Sequence, residues 1–167
     1  MSGVVVRPAH GRDAAELAVI LNAIIARGGT TALEVPYSAV QLERSYIGGP
    51  DAISCMVAED AGGRLLGFQA LTRHAGLSAD WADIATFARQ DGKVPGVGRA
   101  VFDATLAGLG ALALVAINAT IRADNTGGLA FYRKMGFVPY DRSPAVPMRD
   151  GTKVDRIHHR LDLPSAA

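Results

Sequence analysis

Cysteine is almost missing from this chain: Cys55 stands alone among 167 residues. One thiol cannot close an internal disulfide, and the scarcity predicts a reducing, cytoplasmic setting. Cys55 lies in the apolar run of residues 53–58, which makes it a small buried hydrophobe. An excess of charge of one sign is lacking too. The net charge is +1 at pH 7, so no strong field gathers nucleic acid. Long apolar runs are also absent. Residues 111–117 form the longest one past the N-terminus, far too short to span a bilayer. The opening Met-Ser-Gly-Val-Val-Val is too short for a signal-peptide core. His10, His74, His158 and His159 show no metal-site spacing, so no metal is expected.

What is present suits an ordinary globular protein. Hydrophobic residues make up 49% and charged residues 20%, enough for one domain over residues 1–167 with a sizeable core. Residues 4–6 read as a short strand. Asp13-Ala-Ala-Glu16 reads as a capping-box helix start, followed by Leu17, Ile20, Leu21, Ile24 and Ile25 at helical spacing and a stop at Gly28-Gly29. Ser38-Ala-Val-Gln41 is a second capped start. Strands are predicted at 54–59, 65–72 and 81–88, then a helix at 99–109 and a buried strand at 112–121. Asn125 caps another helix, which ends at Gly136. Strands at 137–140 and 154–161 follow, with 143–147 a loop. Three strands on short turns predict antiparallel pairing, and the strand–helix–strand step at 84–121 predicts a parallel neighbour. The fold class is therefore α/β with a mixed sheet.

Between the strand at 81–88 and the next helix lies Lys93-Val94-Pro95-Gly96-Val97-Gly98. A strand, a glycine-rich bend and a helix start together make a phosphate site. Bare N–H groups approach the anion, and the helix adds roughly half a positive charge. Lys93 and Arg99 can add charge from the sides, and a Cβ at Gly96 or Gly98 is expected to block the phosphate. The chain lacks the Gly-Lys-Ser/Thr that would make this a nucleotide-hydrolase loop. Downstream runs Asn125-Thr-Gly-Gly-Leu-Ala-Phe-Tyr132-Arg-Lys-Met-Gly136-Phe137. Asn125 is either a helix cap alone or also a cofactor ligand, and Gly127 and Gly128 suggest close packing against the cofactor or a neighbouring strand.

These two segments resemble the GNAT superfamily of acetyl-CoA-dependent N-acetyltransferases. Lys93-x-x-Gly96-x-Gly98 is similar to its pyrophosphate signature, with lysine where Gln or Arg is usual. Asn125, Tyr132 and Gly136-Phe137 match its second signature. The likeness is specific over residues 84–140. Gly29-Thr-Thr-Ala-Leu-Glu34 further resembles the phosphinothricin acetyltransferase-like subgroup. The resemblance implies a largely antiparallel sheet whose fourth and fifth strands splay apart, flanked by helices. It implies acetyl-CoA as cosubstrate, its arm along the backbone of Thr86, Phe87 and Ala88 and its phosphates on residues 93–99. It implies direct attack by an amine, with Tyr132 protonating the leaving thiolate. Asp80 and Asp83 are the carboxylates near the predicted slot, with Glu34 and Glu59 further off in sequence. Asp83, aspartate where Glu is usual, and Glu34 are the candidate bases, and His74 is a further candidate. The acceptor implied is a small-molecule amine, an amino acid or analogue. A non-catalytic acyl-CoA sensor and a protein N-terminal or lysine acetyltransferase are the alternatives. Many relatives are homodimers, and the apolar last strand suits pairing across a two-fold axis.

Overall fold

The computed structural model describes residues 3–164. Met1 and Ser2, which open the N-terminal stretch read above, lie outside them. Seven strands form one sheet: β1 (Val5–Pro8), β2 (Ala52–Glu59), β3 (Leu65–Thr72), β4 (Trp81–Ala88), β5 (Ala116–Arg122), β6 (Val138–Pro147) and β7 (Lys153–Asp162). Their spatial order is β1-β2-β3-β4-β5-β7-β6. Every neighbouring pair is antiparallel except β4–β5, which is parallel.

Four helices cover the sheet: α1 (Ala14–Arg27), α2 (Ala39–Leu42), α3 (Val97–Ala107) and α4 (Thr126–Lys134). α1 buries Leu17, Ile20, Leu21 and Ile24 against Val57, Phe68, Ala70 and Phe87 on one face of β2–β4. On the opposite face, Phe102 of α3 and Tyr132 of α4 join Ile84, Ile117, Ala119 and Phe137. Alternation along each strand sends successive side chains to opposite faces and so divides the two cores. Among the described residues no helix is long and apolar enough to cross a membrane.

Several local expectations change. Asp13 does not cap α1 from the N-cap position. It closes a short 3-10 turn, where its carboxylate accepts from the His10 N–H at 2.7 Å and from Arg7 at 2.9 and 3.0 Å. Glu16 is drawn away to the Leu65 N–H and Arg89. The box at Ser38 forms as expected, with Gln41 N–H donating to Ser38 Oγ at 3.1 Å and Ser38 N–H to Gln41 Oε1 at 2.9 Å. The helix then widens into a π turn over Glu43–Ile47. β5 begins at Ala116, because Leu112 and Val115 are exposed and precede the ladder. Residues 143–147 belong to β6 and are not a free loop. Pro144 and Pro147 are tolerated because β6 is an edge strand, with a register shift between Ser143 and Val146. The last strand, β7, has both edges filled by β5 and β6. Among the described residues it therefore has no open edge to pair across a two-fold axis as expected, and the edge strand on that side is β6.

Candidate active site

β4 and β5 pair only through Trp81–Ala116, Ala82–Ile117 and Asp83–Asn118, then separate. β4 stays bonded to β3 as far as Ala88, so one backbone edge of β4 is left open beyond residue 83. Alternation tells which groups face the opening. Arg89 N–H bonds to Leu66 C=O across β3. Phe87 and Ala85 therefore face β3 as well; Ile84 turns to β5 at the end of the pairing, and Thr86 and Ala88 face the slot. The expectation that the backbone of Phe87 also faces the slot is thus corrected. The slot opens into a cleft of about 1290 Å³, larger than the roughly 300–1,000 Å³ of ordinary small-ligand pockets.

At one end of the cleft lie Lys93, Val94, Pro95, Gly96, Val97 and Gly98. Gly96 sits at φ +86° as the N-cap of α3 and gives no side-chain cap. The first amides of α3 are left without helical partners and make an anion-binding terminus. Gly96 is needed for this left-handed backbone, since nothing lies within 4 Å of an added Cβ. Gly98 has a second reason to be bare: a Cβ there would meet Phe131 Cε1 at 2.8 Å, so this glycine also admits the α4 ring beside the cleft. Arg99 contributes no side chain to the cleft; it pairs with Asp103 one turn along at 3.0 Å.

The second signature lies across the slot. Asn125 Oδ1 caps α4 by accepting from Gly128 N–H at 3.0 Å, and its Nδ2 donates to Thr30 C=O at 3.2 Å. A Cβ at Gly128 would meet Asn125 Nδ2 at 2.4 Å, so that glycine serves the cap. The Tyr132 ring is buried edge-on between Phe131 and Phe137. Its hydroxyl lies 2.9 Å from Thr86 Oγ1, which also accepts from Gln69 Nε2 at 2.9 Å. When Thr86 donates to Tyr132, the phenolic proton is free to point into the slot. Burial pushes the Tyr132 hydroxyl up to about 12, so it keeps that proton at neutral pH.

Asp83 approaches from the other face of the sheet. Its Oδ1 accepts from Asn118 Nδ2 at 2.8 Å. Asn118 also donates to Thr120 Oγ1 at 3.0 Å and accepts from Tyr140 OH at 2.6 Å. Thr120 Oγ1 is 2.9 Å from His158 Nδ1, and His158 Nε2 is 2.8 Å from Ser143 Oγ. Burial raises the Asp83 carboxyl above the usual range, against the bond from Asn118 and the charges of His74 and His158. A raised carboxyl is a better proton acceptor near neutrality. Asn118, Tyr140 and His158 give no linear motif; register across β5, β7 and β6 gathers them. Glu34 does not line the cleft. Both its oxygens accept from Arg149 N–H, at 3.0 and 3.2 Å, which ties the loop after α1 to the β6–β7 turn. His74 reaches the cleft rim, exposed, whereas Glu59 pairs with Arg7 far off on β2. Cys55 is buried, and burial lifts its thiol to about 12.

No protein-family model and no curated protein matches the chain. Solved structures do. A GCN5-related N-acetyltransferase from Kribbella flavida is 22% identical, with a TM-score of 0.82 over 96% of this chain and 98% of that one. A GNAT-superfamily phosphinothricin acetyltransferase from Sinorhizobium meliloti, in complex with acetyl-CoA, is 18% identical, with a TM-score of 0.80 over 96% and 89%. A ribosomal-protein-alanine N-acetyltransferase from Brucella melitensis is 16% identical, with a TM-score of 0.82 over 95% and 99%. The fold is that of the GNAT acetyltransferases: a mostly antiparallel seven-stranded sheet opened between its fourth and fifth strands.

Proposed function

We propose that this protein is an acetyl-CoA-dependent N-acetyltransferase acting on the amine of a small molecule by direct attack. The observation that carries the reading is the open edge of β4, set between an uncapped helix start and the Tyr132 hydroxyl. The arm of the cosubstrate is rich in amides and satisfies the unpaired backbone groups of Thr86 and the Ala88 N–H as an added strand; the Ala88 C=O already accepts from Gln90 Nε2 at 2.7 Å. Its pyrophosphate takes the amides that open α3, with Lys93 beside them. Asn125 fixes the start of α4 at the same mouth. Solved relatives of this fold hold acetyl-CoA, and the residues here suit it.

The amine must lose a proton before it attacks, and the departing thiolate must gain one. Asp83 and Tyr132 flank the slot from opposite faces, so one accepts from the amine while the other donates to sulfur. Asp83 takes its proton directly or through water. The attacking nitrogen adds to the thioester carbonyl, the C–S bond breaks, and the Tyr132 proton ends on the thiol. Glu34 is bonded to backbone outside the cleft and is left out of this scheme.

Thiol release from acetyl-CoA, measured against a panel of amino acids and simple amines, tests the proposal. Turnover is expected on at least one acceptor. Tyr132→Phe should keep cosubstrate affinity and lose about 10²–10⁴-fold in kcat, the range of a general acid. If the variant turns over like the parent, Tyr132 only packs. Binding of acetyl-CoA with no turnover on any acceptor would favour the acyl-CoA sensor instead.

A further inference from the structure

Gln69 of β3 is fully buried, at 0% exposure, and does not line the cleft. Leu71, two residues on, packs with Tyr132 in the core under α3 and α4, and alternation sets Gln69 on that same face. It stands opposite Thr86 of β4. Its Nε2 donates to Thr86 Oγ1 at 2.9 Å, whereas its Oε1 has no hydrogen-bond partner among the described residues. A buried oxygen without a partner costs free energy and calls for a reason. The reason lies at the other end of the amide. Thr86 Oγ1 carries one proton. Among the described residues it has two partners, Gln69 Nε2 and the Tyr132 hydroxyl, the latter also at 2.9 Å. The amide meets it as a donor, so the threonine proton has the phenolic oxygen as its acceptor. Tyr132 then accepts from Thr86, and its own proton is left for the slot.

We infer that Gln69 is a positioning residue: through Thr86 it aims the Tyr132 proton at the slot and steadies the phenolate that forms when that proton leaves. The role in transfer rests on the acetyltransferase reading; the direction of the hydrogen bonds in the resting protein does not. As the C–S bond breaks, its electron pair stays on sulfur, and the Tyr132 proton moves to that pair. The O–H electron pair remains on the phenolic oxygen, where the Thr86 hydroxyl already donates. A donor aimed at charge that develops in the transition state lowers the barrier without tightening the ground state. Donation from Gln69 polarises the Thr86 hydroxyl and strengthens its bond to that charge. Once the thiol leaves, the phenolate recovers a proton from water. The bond from Thr86 also opposes the upward push that burial gives the Tyr132 hydroxyl.

The test uses the full chain and two readouts. Difference infrared spectra between wild type and Tyr132→Phe isolate the C–O stretch of Tyr132, whose position separates a phenol that accepts from one that donates. Wild type should show the accepting phenol, and Gln69→Met a shift toward the donating one. Thiol release on an acceptor from the amine panel gives the rates. Gln69→Met keeps the length of the side chain and removes the amide. Its kcat should fall about three- to tenfold, the worth of one hydrogen bond, with the KM for acetyl-CoA unchanged. Its melting temperature should hold, because the unpaired Oε1 is removed as well. Thr86→Val should also lower kcat, and adding Gln69→Met to it should cost nothing more, since Gln69 acts through Thr86. Thr86→Ser, which keeps the hydroxyl, should recover most of what Thr86→Val loses. A donating phenol in wild type overturns the inference, and so does wild-type turnover by Gln69→Met. A fall in kcat matched by a fall in melting temperature makes Gln69 a structural residue and overturns it too. Losses that add in the double variant overturn the route through Thr86. If wild type turns over no acceptor, the acetyltransferase reading sinks; the infrared spectra then decide the hydrogen-bond direction alone, an accepting phenol upholding it and a donating one overturning it.

Discussion

At the scale of single residues, the environment of Asp83 has a consequence for stability as well as for its proposed role as the base. Burial holds its carboxyl above the ordinary range, so the folded state binds a proton more tightly than the unfolded chain. For such a group, stability is fully present below the unfolded value and is lost as pH rises through the window up to the folded one. Asp83→Asn removes that penalty. The variant should be more stable than wild type at neutral pH, and the gain should vanish in acid below the carboxylate range; urea midpoints across pH check it. Turnover at saturating acceptor should fall by about 10²-fold and recover in part at high pH, where the amine deprotonates in solution. A loss confined to KM would make Asp83 an anchor for the ammonium and not a base. Asp83 was legible from the resemblance, as a strand-start carboxylate. Asn118, Tyr140 and His158 were not, since no spacing along the chain links β5, β6 and β7. Only the strand order and register bring them together.

Elements show a different division between what the sequence tells and what it hides. The α3 start and the α4 cap were readable because each is a contiguous motif whose spacing is fixed by one turn and one helix. The β6 segment misled because prolines suggest a loop, and only an edge position makes them compatible with a strand. Asp13 misled because its carboxylate is claimed by Arg7 and the His10 N–H, and Arg7 is held in turn by Glu59, distant in sequence. The two glycines of the α3 loop separate in the same manner. Gly96→Ala forces a left-handed alanine at the N-cap, a strain of about 1–2 kcal/mol, and should weaken acetyl-CoA by about tenfold while the rest of the fold stands. Gly98→Val drives a branched side chain into Phe131, which is packed edge-on against Tyr132 at 5.0 Å between ring centroids. It should lower the melting temperature and disturb turnover together. Titration calorimetry beside thermal melts distinguishes the two. If Gly98→Val melts like wild type and only binding fails, Phe131 yields and the phosphate contact is the stronger constraint.

For the whole molecule, the backbone ladder is two halves joined by little. Three residue pairs at the base of the slot link β4 to β5, while on one face Ile84 of β4 packs with Ile117 and Ala119 of β5 across the seam. Beyond that seam the amide protons of Thr86 and Ala88 have no strand opposite them. In heavy water they should exchange for deuterium early, while those of Ala85 and Phe87, one step along the same strand, are shielded by β3. Adding acetyl-CoA should slow Thr86 and Ala88 and leave their neighbours unchanged, so that the strand shows an every-other-residue pattern of protection. Such a pattern would trace the bound arm through the sheet one amide at a time. Protection spread evenly along the strand would instead mean that the two halves close on each other without the arm between them.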